Sequence, residues 1–359
     1  MNSDSWLRIA VVGGGPAGCS AAIALARSGI DVCVFEKGDH FREKPCGDAL
    51  TSLTVELIGE TFGLGESDLS RVGGVRFRGA VLRQPSGSLP VDSPALVGWS
   101  VRRSQLDQAL RDCVSRFAEI KYRTQVVRLT PGNRFITAST AQGADSRFDA
   151  VILAGGAGDR FTRNLGIDGE PRLGFAVRRY VREDYADSHL VVEPTPKLLG
   201  YAWEFPNGHG TRNVGLCALA PVERSVLVSF VKPFAASTKS REAIGGGSGP
   251  CWRGSFVKRH LPVGVVSCGD AAGLVDPFTG EGISAAIRSG LLSADCVLRF
   301  VKDGRNEARL AEYSNRIHSI FSDAYRPSQA RISFLTLCGL RGAESRFGAY
   351  LAEKDDSAE

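Results

Sequence analysis

What the 359-residue chain lacks narrows its function first. None of its nine cysteines forms a C-x-x-C pair, and its five histidines (40, 189, 209, 260 and 318) show no metal-ligand spacing. A zinc cage is therefore not expected, and the odd cysteine count on a long chain fits reduced thiols in a cytoplasmic protein. No apolar run approaches the length of a membrane span. The run Ile9-Ala10-Val11-Val12 leads straight into glycines, unlike a signal peptide. The net charge of +5 has no long basic run behind it, so nucleic acid is not an expected partner; membrane contact, through residues 328–347, stays open behind packing on the parent domain. There is no internal repeat, and the one low-complexity patch, Gly245–Pro250, reads as a mobile loop.

The 42 glycines, by contrast, are abundant and several fall in a pattern. Leu7 to Val12 reads as a buried strand, followed by Gly13-Gly14-Gly15-Pro16-Ala17-Gly18 and then a helix from Cys19 to Ser28. In this G-x-G-x-x-G arrangement Gly13 makes the turn and Gly15 lets the backbone approach a pyrophosphate. Gly18 lets the helix pack on the strand, and Pro16 and Ala17 lie at the helix N-terminus that faces the phosphates. A second strand, Asp31 to Phe35, ends at Glu36 and Lys37, eighteen residues after Gly18 for the acid. Glu36 is placed to accept hydrogen bonds from a ribose and to repel a 2′-phosphate, which points to FAD or an NAD-like nucleotide over NADP.

Residues 261–290 separate those two. An apolar strand ends at Cys268, Gly269-Asp270 follows, and a turn with Pro277, Gly280 and Gly282 opens a helix through Ile283 to about Phe300. Asp270 can accept hydrogen bonds from ribityl hydroxyls, and the helix N-terminus near Gly282 offers positive potential to a reduced flavin. The segment resembles the GD motif of FAD-dependent oxidoreductases of the p-hydroxybenzoate hydroxylase fold group. Arg103-Ser104-Gln105-Leu106-Asp107 is similar to a second pattern of that group, which implies that Arg103 lies near the flavin phosphates or ribityl chain, with Arg102 the lesser candidate.

Two further segments narrow the family. Lys44-Pro45-Cys46-Gly47-Asp48-Ala49-Leu50 resembles the K-x-C-G-[GD]-x-L stretch of geranylgeranyl reductases. Tyr201-Ala202-Trp203-Glu204-Phe205-Pro206-Asn207-Gly208 with Asn213-Val214-Gly215 resembles their Y-x-W-x-F-P-x-G…N-V-G segment. The chain is thus identified as a member of the geranylgeranyl reductase superfamily, which is related to flavin monooxygenases and halogenases. Tyr201 and Phe205 stand where the halogenase signature has tryptophan and isoleucine, which favours the reductase branch.

The resemblance implies FAD as cofactor and an enzyme acting on an apolar or aromatic small metabolite, with C=C reduction of an isoprenoid-like substrate placed first. Monooxygenase or halogenase-like chemistry, including on a peptide or carrier-bound substrate, stays open, as does a non-catalytic flavin-binding partner. The resemblance implies that Cys46 delivers a proton to substrate, its thiol acidified by Lys44 and a helix around residues 48–62; a buried structural thiol is the alternative. Tyr201 and Trp203 alternate on one strand face and are the other catalytic candidates, with plain core packing the alternative. The family's A-D-G aspartate is absent, its position being Gly155, although Arg163 and Gly166 match the family's next pattern, R-x-x-G. Electrons are therefore expected from a transiently bound NAD(P)H, a partner flavin reductase or the substrate.

The expected fold is α/β. A discontinuous Rossmann-like FAD-binding domain (1–75, 98–165 and 262–325) is interleaved with a mostly antiparallel sheet for substrate (76–97 and 166–261). Strand signals in the latter include Val75–Phe77, Arg172–Val181 and Val214–Leu219. A C-terminal helix near 328–347 and a disordered tail complete residues 326–359.

Overall fold

The computed structural model describes residues 7–84, 87–158, 161, 173–182, 188–195, 200–208, 210–218, 245–250 and 261–337. Arg163, Gly166 and the C-terminal tail lie outside them. By contacts the chain forms two compact units. One comprises Met1–Arg42, Asp107–Pro171 and Gly249–Pro327; the other comprises Glu43–Leu106, Arg172–Ser248 and Ser328–Glu359. Among the described residues the helices of the chain are α1 (Pro16–Arg27), α2 (Ser52–Phe62), α3 (Glu66–Arg71), α4 (Arg103–Val114), α5 (Ile283–Lys302) and α6 (Ala308–Leu337).

The first unit is a Rossmann-like layer. Five parallel strands run in the order Val265–Ser267, Ala150–Leu153, Arg8–Val12, Asp31–Phe35 and Glu119–Lys121. The central strands are buried on both faces, which is why Ile9-Ala10-Val11 and Ala150-Val151-Ile152-Leu153 read as unbroken apolar runs. Chain order reverses beside Arg8–Val12, and a crevice at the carboxyl ends of strands at such a switch point is where dinucleotides bind. A three-stranded antiparallel meander (Val126–Pro131, Ile136–Thr140, Asp145–Phe148) closes a core that includes Phe35, Ile136, Phe148 and Leu153. Helices α1 and α5 pack closely at Gly290, where a methyl group would stand 2.1 Å from Ser20 Oγ and 2.3 Å from the Ala17 carbonyl oxygen.

The second unit is built on a seven-stranded sheet. Its order is Gly245–Pro250, Leu173–Arg182, Thr211–Ala218, Gly200–Asn207, Leu190–Thr195, Ala80–Gln84 and Gly87–Val91. The parallel pair Leu190–Thr195 with Ala80–Gln84 is flanked by antiparallel ones. A second antiparallel sheet orders Ala49–Thr51, Val97–Ser100 and Val75–Arg78.

The α/β class, the parallel and antiparallel sheets and the C-terminal helices agree with expectation, and three details differ. Residues 43–75 and 98–106 cluster with the second unit, because the strands Val75–Arg78 and Val97–Ser100 of their small sheet pack against Gly200–Asn207. Gly245–Pro250 is an edge strand and not a loop, since a glycine backbone can still pair with a neighbouring strand even though it brings no side chains. The helix expected from residue 48 starts at Ser52, capped by Thr51, whose hydroxyl accepts from Thr54 N–H, because Ala49–Thr51 is drawn into the sheet.

Candidate functional site

In the first unit the three fingerprint glycines carry three different constraints. Gly13 has φ +114°, and a methyl group there would lie 2.3 Å from the Ala154 carbonyl oxygen. At Gly18 a methyl would lie 1.9 Å from the Gly13 carbonyl oxygen, so this glycine lets α1 settle on its strand. Gly15 is the opposite case: nothing stands within 4 Å of the corresponding position. Open space beside the start of α1, with Pro16 at its first turn and no side chain capping it, is what a pyrophosphate approaching the backbone requires.

Glu36 is buried at the end of its strand. Its two carboxylate oxygens accept from Gly14 N–H at 2.9 Å and Gly38 N–H at 2.7 Å, and Arg42 stands 3.7 Å away. Each oxygen retains a second lone pair for a ribose hydroxyl. Glu36, Lys37, Arg42, Gly13, Gly155 and Phe161 line a cleft. The Asp270 segment joins this region through Gly269 (φ +61°), where a methyl would come 2.9 Å from Ala17 Cβ. One Asp270 carboxylate oxygen lies 3.5 Å from where a side chain on Gly282 would begin.

The loop between them is held by buried Asp276, whose Oδ1 accepts from Phe278 and Thr279 N–H at 2.8 Å each. Pro277 is buried in that loop, Gly280 (φ +70°) turns it outward, and Ile283 is the buried first residue of α5. Glu281 caps α5 with its carboxylate, on Ser284 N–H and Oγ at 2.8 and 2.9 Å, while its own N–H is tied to Thr279 Oγ1. The structure thus brings together Gly13, Gly15, Pro16, Ala17, Gly18, Glu36 and Lys37, and sets Asp270 and Gly282 beside them. These residues fit FAD.

The second unit gathers Cys46, Arg103 and Trp203 around a residue that sequence reasoning passed over. Asp48 is fully buried at φ +69°, the left-handed region that asparagine and aspartate tolerate best among side-chain-bearing residues. Its Oδ2 accepts from Tyr180 Oη at 2.6 Å, Asn213 Nδ2 at 2.8 Å and Asn207 Nδ2 at 3.0 Å, and its Oδ1 from Arg103 N–H at 3.3 Å. Burial pushes the Asp48 carboxyl up to about 6, against the pull of Tyr180, Asn213, Arg178 and Arg103. The Asp48 N–H in turn donates to Cys46 Sγ at 3.3 Å, and Asn213 Nδ2 donates to the Cys46 carbonyl oxygen at 2.7 Å.

The thiol itself departs from expectation. Burial raises Cys46 above the ordinary cysteine range; Arg103 opposes the shift and the Asp48 carboxylate adds to it. Acidification by a helix N-terminus does not operate, because α2 begins six residues later and Asp48 stands next to the thiol. The remaining motif residues have direct reasons. A methyl at Gly47 would stand 2.9 Å from Phe205 Cε2, and one at Gly215 would stand 2.2 Å from Trp203 Cζ2, directly across the strand pair. Trp203 donates its indole N–H to Asn213 Oδ1 at 3.1 Å. At 4% exposed it lies in the hydrophobic core with Phe205, Phe77 and Leu82, as the core-packing alternative had it. Tyr201, partly buried, packs on that core with its ring 6.0 Å from Trp203.

Arg102, the lesser candidate by sequence, stacks 4.0 Å over the Tyr180 ring and donates to Asn207 Oδ1 at 3.3 Å. Arg178 lies 4.1 Å from the same ring and pairs with Glu43 at 2.5 Å. In the first unit, fully buried Arg111 was also missed; it donates to the carbonyls of Gly14 at 3.1 Å and His40 at 2.5 Å. Asp48, Asn207 and Asn213 sit inside the motifs already quoted and could have been found there. Tyr180 and Arg111 carry no local signal. Among the described residues no group of side chains could hold a metal ion, and no helix is long and apolar enough to cross a membrane.

Comparisons with known proteins identify the family and the fold. The profile of the pyridine nucleotide-disulphide oxidoreductase family matches residues 7–193. A menaquinone reductase of Mycobacterium tuberculosis is 32% identical over 337 residues, covering 86% of this chain and 80% of that protein. A digeranylgeranylglycerophospholipid reductase of Methanosphaerula palustris is 29% identical, with 86% and 80% covered. The fold is shared with a geranylgeranyl bacteriochlorophyll reductase-like protein of Thermoplasma acidophilum, with TM-score 0.79, 22% identity and 92% and 88% of the two chains covered. The chain belongs to the pyridine nucleotide-disulphide oxidoreductase family, as an FAD-dependent oxidoreductase similar to these reductases.

Proposed function

We propose that this FAD-dependent oxidoreductase reduces a carbon–carbon double bond in an apolar, isoprenoid-like lipid. The observation that carries the reading is the Cys46 thiol, which burial keeps in its proton-bearing form on a turn packed against Phe205. A thiol that retains its proton at neutral pH can serve as a general acid. Relatives named for a geranylgeranyl lipid and for menaquinone support the substrate class.

Bound FAD supplies the two-electron chemistry. Gly15 and the start of α1 receive its pyrophosphate, Glu36 takes ribose hydroxyls and Asp270 takes the ribityl chain. Cys46 holds the proton at Sγ, and Tyr201, packed beside Trp203, lies on the neighbouring sheet. Electrons come from NAD(P)H or a partner reductase, and anaerobic bleaching by either nucleotide distinguishes these sources.

The test uses FAD-loaded protein, reduced anaerobically with dithionite and mixed with a geranylgeranyl lipid in detergent. The expected product is heavier by two hydrogens, and Cys46→Ser lowers turnover roughly a hundredfold or more at unchanged FAD content. Full turnover in Cys46→Ser, or a product that gains oxygen in air and no hydrogen without it, overturns the reading.

A further inference from the structure

We propose that Asp48 is a positioning residue: its carboxylate gathers Tyr180, Asn207 and Asn213 onto the Cys46–Gly47 turn and sets both the place and the charge state of the Cys46 thiol. The inference rests on the role proposed for Cys46.

Three observations carry it. First, Asp48 touches the thiol through its own N–H, at 3.3 Å, so carboxylate and sulfur belong to one turn. Second, Asn213 donates through the same Nδ2 to Asp48 Oδ2 and to the Cys46 carbonyl oxygen, at 2.8 and 2.7 Å, which ties the turn to the sheet at both residues. Trp203 orients that amide from behind by donating to its oxygen at 3.1 Å. Third, Asp48 accepts four hydrogen bonds while sitting at φ +69° in a fully buried site. A buried carboxylate in that conformation is tolerated where its surroundings hold it there.

The charges facing this group come from every element around it. Tyr180 and Arg178 lie on the strand Leu173–Arg182, Arg103 begins α4, and Cys46 precedes Asp48 on the turn. Arg102 stacks on the Tyr180 ring and Glu43 pairs with Arg178. Arg103 alone would draw the thiol toward thiolate. The Asp48 carboxylate opposes Arg103 at close range, so ionised Asp48 keeps Cys46 protonated. The burial that raises Asp48 to about 6 places the loss of this opposition just below neutral pH.

The experiment measures the rate at which a small methanethiosulfonate modifies Cys46 in the full-length FAD-loaded protein, from pH 5 to pH 9, by peptide mass spectrometry. Cys46 is half-buried, desolvated enough to raise its thiol yet open to a small reagent. In Asp48→Asn, a substitution that keeps the shape and tolerates the left-handed conformation, the rate is expected to match the native protein below about pH 6. It is expected to exceed it roughly tenfold at pH 8, a shift of about one pH unit in the thiol.

A role confined to packing gives a constant ratio at all pH values, and that result overturns the proposal. Should Asp48→Asn fail to fold, Tyr180→Phe serves instead. It removes one donor to the anion, so the step in the native profile near pH 6 moves upward, and an unmoved or absent step is equally fatal. Because modification reads the thiol without turnover, full activity in Cys46→Ser would remove the proposed function and leave this coupling standing.

Discussion

The dinucleotide cradle of the first unit and the Cys46 turn of the second are built by opposite means. The cradle works by leaving side chains out: Gly13, Gly15 and Gly18 allow a tight turn, an open approach and a close helix–strand contact. The Cys46 turn works by bringing side chains in. Asp48 collects donors from Leu173–Arg182, Gly200–Asn207, Thr211–Ala218 and the start of α4, elements reaching as far as 165 residues away in sequence. A backbone site needs only local spacing. A side-chain site needs the sheet to be assembled first, since each donor to Asp48 is positioned by a different strand or helix.

The largest expected effect breaks the cradle. Gly18→Ala forces a methyl to within 1.9 Å of the Gly13 carbonyl oxygen, which costs about 3 kcal/mol of stability, and FAD is lost on purification. Gly15→Ala meets nothing within 4 Å, so thermal unfolding stays nearly unchanged while FAD affinity falls roughly tenfold, read by flavin fluorescence. Equal loss of stability in both variants would erase the division of labour among these glycines.

A comparable effect tests the side-chain site through pH. The Asp48 carboxyl titrates at about 6 in the folded protein against an ordinary 3.8, so the folded state binds that proton more tightly. Its contribution is therefore fully present below about pH 4 and is lost as pH rises through about 6, a change of about 3 kcal/mol. In urea unfolding across that range, the difference between the native protein and Asp48→Asn should show this slope. A flat difference would mean that the carboxylate is not desolvated.

Smaller effects sharpen the contrast. Gly47→Ala brings a methyl 2.9 Å from the Phe205 ring and is expected to cost about 1–2 kcal/mol, measured by thermal unfolding. Glu281→Ala removes the cap on Ser284 at the start of α5 and should cost about 1 kcal/mol.

Within the second unit, the quoted motifs were readable before their purpose was. Gly215 is glycine because the Trp203 ring lies across it, and Asn213 is asparagine because it accepts from that indole and donates to Asp48. Each residue stands in the Y-x-W…N-V-G pattern, yet nothing local tells that the pattern serves a carboxylate 165 positions before Asn213. Cys46 was legible as a candidate, but its acidity was misjudged. The helix expected to acidify it begins at Ser52, and burial, which one-dimensional spacing does not report, dominates the thiol.

By itself the sequence determined the Rossmann-like layer, the glycine cradle with Glu36, and the Asp270 turn opening α5. These depend on interactions between near neighbours: turn geometry, strand–helix spacing and the free N–H groups of a helix start. Only the tertiary structure decided that Asp48 is the hub beside Cys46, that Tyr180 and Arg102 belong to its network, and that Trp203 lies in the core. Burial and hydrogen-bond partnership are properties of the assembled sheet, where strands far apart in the chain bring their donors to within 3.0 Å of one buried carboxylate.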